Sequence, residues 1–286
     1  MLIVDSQVHI WAAETPDRPW SPLHAGAAQR AEPFSADDLL TEMRAAGVKA
    51  AVLVPPSWEG TRNELALDAA RRHPARFAVM GRLPLEHPDS RDRMAEWPYL
   101  RGLFGARVNF RPAASRAWLQ DGTADWLWRQ AERDGLCLMV FAPHDLLRIG
   151  AVAAAHPNLR IALDHMALSG EEKGEAAFAN LPDLLALARH PNIAVKASAL
   201  PCVAADDYPY RSLHEPIRRV VDAFGPERVF WGSDLTRLPC SYSQAVRLFT
   251  EELPWLSGAE LEAVMGGAIC DWLDWPAPRT LSDATM

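Results

Sequence analysis

The run Arg148-Ile149-Gly150-Ala151-Val152-Ala153-Ala154-Ala155-His156 leads directly into Pro157-Asn158-Leu159-Arg160-Ile161-Ala162-Leu163-Asp164. The first half is a good helix former and the second is a short apolar strand. Between them stands a proline, which cannot continue a helix and restrains the residue before it. The same phrase occurs at 65–73 before Pro74-Ala75-Arg76-Phe77-Ala78-Val79-Met80, and at 184–190 before Pro191-Asn192-Ile193-Ala194-Val195-Lys196. Phe224-Gly225-Pro226 makes the same stop before Arg228-Val229-Phe230-Trp231-Gly232-Ser233-Asp234. Two further units stop on glycine, Ala45-Ala46-Gly47 before 48–54 and Arg133-Asp134-Gly135 before 136–141. Glycine relieves the left-handed position at a helix end.

With the opening strand at 2–10 and the stretch 103–110, the chain holds eight strand candidates. They are nearly continuous apolar runs, as expected where both faces of a sheet are covered. Helix starts are visible between them: Ser35-Ala36-Asp37-Asp38, and Ser257-Gly258-Ala259-Glu260, which reads as a capping box. Strands alternating with helices predict parallel pairing, and eight of them predict a closed (β/α)8 TIM barrel of the α/β class. An open doubly wound sheet is the competing architecture, but no Gly-x-Gly-x-x-Gly follows any strand. Residues 1–275 are read as one barrel domain and 276–286 as a polar tail that frays. The segments 16–33, 84–98 and 202–210 read as long loops at the barrel mouth.

A chain of 286 residues with 49% apolar residues can fill one large core. A net charge of −8 disfavours nucleic acid and anionic membranes as partners. The opening Met1-Leu2-Ile3-Val4-Asp5 has no basic flank and no long apolar run, so a cytoplasmic location is expected. The four cysteines, Cys137, Cys202, Cys240 and Cys270, lack pairing motifs and read as reduced thiols. A homodimer is the base-rate expectation for assembly.

In a parallel barrel the C-terminal strand ends converge on one mouth. The first strand ends Asp5-Ser6-Gln7-Val8-His9, the sixth Asp164-His165 and the eighth Ser233-Asp234. Period-two alternation points Asp5, Gln7 and His9 to one side. Ionisable groups inside an apolar barrel are costly unless paired with one another, a metal or a substrate. The basic residues Arg107, Lys196 and Arg237 at neighbouring strand ends suit a carboxylate or sulfonate on a small anionic substrate. His144 opens a strand-to-helix loop and is a candidate pocket residue. Trp11, Trp58 and Trp231 fall at strand ends, where they could stack on a planar ring. His24 and His87 lie in proline-rich loops, and His214 starts a helix. His73, His156 and His190 precede prolines and read as helix stops. Cys202 and Cys240 lack the histidine context of a nucleophile.

These motifs resemble the amidohydrolase superfamily, in its branch of lactone hydrolases and non-oxidative decarboxylases. The likeness runs over about residues 1–275. It rests on Val4-Asp5-Ser6-Gln7-Val8-His9-Ile10-Trp11, the run 141–146 leading to Leu163-Asp164-His165-Met166, the strand 192–196, and Val229-Phe230-Trp231-Gly232-Ser233-Asp234. The resemblance implies His-x-His on strand one, a histidine on strand six and an aspartate on strand eight. His9, His165 and Asp234 match, and Gln7 stands where the first histidine would be. An amide oxygen is a poor zinc donor. The implied ligand set is therefore His9, His165 and Asp234, with His144 as a further candidate. Three ligands and a water can make a catalytic site, yet some lactonases of this branch work without metal, so both readings stand open.

The function implied is hydrolysis of a small anionic lactone. Asp234 would act as general base, and His165, with His9, would polarise the carbonyl. Gln7, Arg107, Lys196, Arg237, His144 and Trp11 would contact the substrate, and Asp5 would orient the strand end. The alternatives are a decarboxylase of an aromatic or unsaturated acid and a barrel that binds a ligand without turnover.

Overall fold

The computed structural model describes residues 1–22, 25–30 and 32–276. The eight strands are β1 (Val4–Val8), β2 (Ala50–Leu53), β3 (Phe77–Gly81), β4 (Leu103–Asn109), β5 (Cys137–Phe141), β6 (Ile161–Leu163), β7 (Ile193–Ser198) and β8 (Val229–Gly232). Each pairs in parallel with the next in chain order. The helices between and after them are α1 (Ala36–Ala46), α2 (Glu64–Arg72), α3 (Ser90–Ala95), α4 (Ala113–Ala117), α5 (Asp125–Asp134) and α6 (Leu146–Ala155). They continue as α7 (Leu181–Ala186), α8 (His214–Phe224), α9 (Tyr242–Thr250), α10 (Gly258–Glu262) and α11 (Ala268–Leu273). The fold is a single (β/α)8 barrel.

The stop signals act where the sequence places them. His73 and His156 close α2 and α6, and Gly47 and Gly135 close α1 and α5 with left-handed φ of 77° and 68°. Ser35 and Asp38 form the capping box of α1. Ser257 caps α10 by position, but its side chain makes no capping bond, so the expected box there is absent. A box joins Ser241 and Gln244 at the start of α9 instead. The segment 84–98, read as a loop, carries α3 and a short 3-10 turn at Trp97–Tyr99.

The barrel floor is built from small residues. Ala50, Ala78, Ala162 and Ala194 face inward near the strand starts, leaving room for Ile269, Cys270, Leu273 and Trp275 of the C-terminal segment. Larger apolar residues such as Leu53, Val79, Val108, Leu138 and Val195 face outward and pack under the helices.

Between β8 and β1 the barrel closes through Asp5. Asp234 N–H donates to Gln7 O at 2.9 Å, and the Asp5 carboxylate supplies the other bonds. It accepts from Gln7 N–H (3.0 Å), Ser233 N–H (2.9 Å), the Ser233 hydroxyl and the Tyr242 hydroxyl (2.7 Å). This corrects the expected phase of β1. From Asp5 to Val8, three steps on β1 oppose two on β2, from Ala51 to Leu53, which is a bulge. Asp5 therefore turns outward toward α9, while Gln7 and His9 turn into the mouth. Among the described residues no helix is long and apolar enough to cross a membrane.

Candidate active site

Two of the strand-end polar residues, His165 and Asp234, stand on strained backbone. His165, Met166 and Ala167 after β6, Ala199 after β7 and Asp234 after β8 all have φ between 54° and 57° except Met166, at 52°. Each such residue without glycine's freedom costs roughly 1–3 kcal/mol, a cost met mainly at functional sites. At β8 the turn brings the Asp234 carboxylate beneath the mouth, fixed by its N–H bond to Gln7 O and by Arg237 N–H, which donates to its carbonyl at 2.9 Å.

His9 Nδ1 lies 2.6 Å from Val54 O, so Nδ1 carries the proton and Nε2 faces the mouth. His9 Nε2 is 3.2 Å from Asp234 Oδ1. Oδ1 itself is buried and has no aligned hydrogen-bond partner among the described residues. Its fellow oxygen Oδ2 is 3.5 Å from Arg237 Nη1. Burial would raise the Asp234 carboxyl, but the neighbouring His9 and the positive charge of Arg237 hold it well below the usual carboxylate range. His165 Nδ1 is 2.9 Å from Ser198 Oγ, and its ring meets Phe141 edge-on at 5.4 Å. Burial pushes the His165 pKa down to about 4, against the pull of Asp234 and Asp164. The ring is therefore neutral at pH 7. A crevice lined by Phe141, His165, Ser198, Cys202 and Arg237 opens beside it.

Beneath these groups lies a polar layer. Lys196, fully buried, donates from Nζ to Gln7 Oε1 and to Asp164 Oδ1 (3.0 Å), and touches Met139 Sδ at 3.3 Å. Asp164 Oδ2 accepts from Arg107 Nε at 3.0 Å. Burial would raise the Asp164 carboxyl, yet Lys196 and then Arg107 hold it below the ordinary range. The ammonium needs Gln7 Oε1 as an acceptor, and this sets the amide flip. The Gln7 NH2 therefore points at His9 Nε2, 3.4 Å away.

That orientation bears on the implied metal. His9 Nε2 and Asp234 Oδ1 have the separation of two ligands on one tetrahedral zinc, about 3.3 Å from the usual bond lengths. A resident catalytic zinc needs a third protein ligand. Among the described residues no group of three or more His, Cys, Asp or Glu side chains converges closely enough to hold a metal ion. Gln7 offers its amide N–H, a donor, where a ligand would have to offer a lone pair. The residues present do not fit a resident metal.

The structure brings His9, His165, Asp234, Gln7, Arg107 and Arg237 to one mouth. Three expected contact residues lie elsewhere. Lys196 is below the mouth with its donors used internally, so it supports Gln7 and Asp164 and does not reach a substrate. His144 is exposed in a groove with Gln120, Arg148 and Asp183, away from the mouth residues. Trp11 is buried against Phe34 and Trp58, with ring centroids 5.9 and 5.2 Å away, because it bridges to Phe34 at the loop base. Trp58 and Trp231 are likewise packing residues; Trp231 stacks on Tyr242 and donates to Ala245 O. His87 is exposed, His214 bonds Pro209 O, and His24 lies outside the described residues, as do 277–286 of the tail. Burial pushes the Cys202 thiol up to about 11, which leaves it no thiolate at neutral pH. Sequence reading missed Arg82, which follows β3. Its one signal is its phase, two residues beyond the inward-facing Met80.

The family model described as amidohydrolase matches residues 4–270. The chain is 30% identical to the L-fucono-1,5-lactonase of Burkholderia multivorans over 98% of this chain and 99% of that protein. It is 24% identical to the 4-sulfomuconolactone hydrolase of Hydrogenophaga intermedia, over 67% of this chain and 62% of that one. A crystal structure of an amidohydrolase from Burkholderia multivorans with bound zinc superposes with a TM-score of 0.80 at 27% identity. It covers 96% of this chain and 100% of that one. With a barrel of this topology and a match over nearly its whole length, the chain belongs to the amidohydrolase family and is a hydrolase.

Proposed function

We propose that the chain hydrolyses a small anionic lactone. The observation that carries this reading is Asp234 Oδ1, a buried carboxylate oxygen with no aligned donor among the described residues, whose open lone pair would take the proton of a water drawn in beside it with the substrate. Two relatives named as lactone-opening enzymes support the bond class.

The water donates a proton to Asp234 Oδ1 as its oxygen bonds to the lactone carbonyl carbon. Neutral His165 donates from Nε2 to the developing oxyanion, and for that the Ser198 hydroxyl must donate to Nδ1. Collapse of the tetrahedral intermediate breaks the ring C–O bond, and the departing alkoxide takes the proton held on Asp234. The products are an alcohol and a carboxylic acid, which ionises and releases its proton to solvent, and the residues return to their starting states. His9, anchored on Val54 O, stands 3.2 Å from Asp234 Oδ1 and closes that side of the base. Decarboxylation, the alternative within the family, gives this free carboxylate acceptor no water to activate.

Asp234→Asn keeps the shape and removes the base. Its turnover of lactones should fall by about 10³-fold or more with an unchanged melting temperature, since general-base assistance and the linked charge are both lost. Wild-type rates in a folded Asp234→Asn protein would dismiss the assignment.

A further inference from the structure

One wall of the mouth carries more positive charge than the protein itself neutralises. Gly81, the last residue of β3, pairs with Ala106 of β4, which puts Arg82 beside Arg107 as the next residues on both strands. Both share the inward phase of Met80 and its partner Gly105. The Arg82 backbone is held by Asn63 through reciprocal bonds of 2.8 and 2.9 Å, and its Nε donates to Gly60 O at 3.1 Å. Its Nη1 is buried with no partner among the described residues. Arg107 spends Nε on Asp164. Asp164 divides its oxygens between Arg107 and Lys196. Arg111 adds a further cation, its guanidinium lying over the Phe141 ring at 5.8 Å, the same distance as that of Arg107. Burial, then the neighbouring charge of Arg107, lowers the affinity of Arg82 for its own proton.

Arg82 is half-buried, and a buried guanidinium nitrogen with no acceptor is a costly arrangement. A planar oxyanion supplies what is missing, because it accepts from two guanidinium forks at once. We infer that Arg82 and Arg107 together form a carboxylate-binding wall and that Arg82 selects lactones bearing a ring carboxylate over neutral lactones of the same size. This rests on the proposed lactone hydrolysis and sharpens it to a substrate class.

The test uses one ring in two forms, 5-oxotetrahydrofuran-2-carboxylate and its primary amide, with full-length wild type, Arg82→Gln and Arg82→Lys. The wild type should prefer the acid over the amide in kcat/KM. Arg82→Gln should reduce that preference by about 10- to 100-fold, the loss of a charged hydrogen bond, mainly through KM for the acid. Arg82→Lys should restore part of it. Equal kcat/KM for acid and amide in the wild type, or an equal loss on both substrates in Arg82→Gln, overturns the inference. A binding arm separates it from the reaction: tetrahydrofuran-2-carboxylate, which has no bond to hydrolyse, is titrated calorimetrically into Asp234→Asn protein. Binding that weakens with salt and is lost on adding Arg82→Gln upholds the wall even if no lactone is turned over, and only the hydrolytic reading then falls. No binding, or binding indifferent to Arg82, removes the wall whatever the enzyme hydrolyses. Should Arg82→Gln fail to fold, Arg82→Lys carries both arms, with a raised KM for the acid alone as the supporting result.

Discussion

A carboxylate held below its usual pKa is always ionised at neutral pH but is a weak base. Each unit of depression costs about 1.4 kcal/mol in proton transfer. Asp234 therefore needs a donor for the developing oxyanion, and His165 supplies it from Nε2 when Ser198 holds Nδ1. With a folded pKa of about 4 against an ordinary 6.5, His165 binds its proton more readily in the unfolded chain. Its contribution to stability is complete above pH 6.5 and is lost as pH falls toward 4, by about 3 kcal/mol in all. His165→Gln should remove that part of the slope, so the melting temperature of the variant should fall less than that of wild type between pH 6.5 and 4. Parallel curves would show that His165 does not titrate in this way. At the same scale, Gln7→His should create the lone pair that Gln7 lacks and raise bound zinc from near none to roughly one per chain. Zinc content equal in wild type and Gln7→His would contradict the amide orientation. His9, His165 and Asp234 were legible in sequence because each is a polar residue ending an apolar run. Lys196 was legible as a strand-end cation but not as a buried one, since its partner Gln7 lies 189 residues away. Arg82 was missed because it opens a loop rich in proline and charge, where only its phase with Met80 distinguishes it.

At the scale of elements, the prolines and glycines that stop the helices gave the strands their boundaries, and backbone chemistry alone made those signals readable. The bulge in β1 gives no such signal. It depends on Asp5 finding donors just after β8 and on α9, both more than 220 residues away, and a local period-two reading cannot contain that. The pairing of β4 with β5 is equally a matter of contact. A Cβ built on Gly105 would lie 1.8 Å from Cys137 O, a backbone atom that cannot move without breaking the ladder. Gly105→Ala should therefore lose about 3 kcal/mol or more of stability, or yield no folded protein, as judged by chemical denaturation. A loss below about 1 kcal/mol would mean that the strands are not so closely spaced. Arg107, which holds Asp164 from the same strand, should lose its register in any such variant.

The whole molecule separates stability from chemistry along the barrel axis. Its floor is sealed by α11 against small inward residues, and its mouth gathers strained backbone, buried ions and cationic side chains in a protein of net charge −8. Alternating helix and strand signals made the barrel readable from sequence. The C-terminal seal was not readable, because an amphipathic terminal helix gives no sign of which surface it covers. The family match gives the architecture and the hydrolase class, and the proposed chemistry rests on the unpartnered oxygen of Asp234 and the cluster of arginines. Acid release from 5-oxotetrahydrofuran-2-carboxylate, followed in a pH-stat with protein stripped of metal by exhaustive chelation, tests this most directly. The account predicts acid release at the same rate before and after stripping, and none above background from Asp234→Asn. Loss of activity on stripping that stoichiometric zinc restores, or undiminished release by Asp234→Asn, would contradict it.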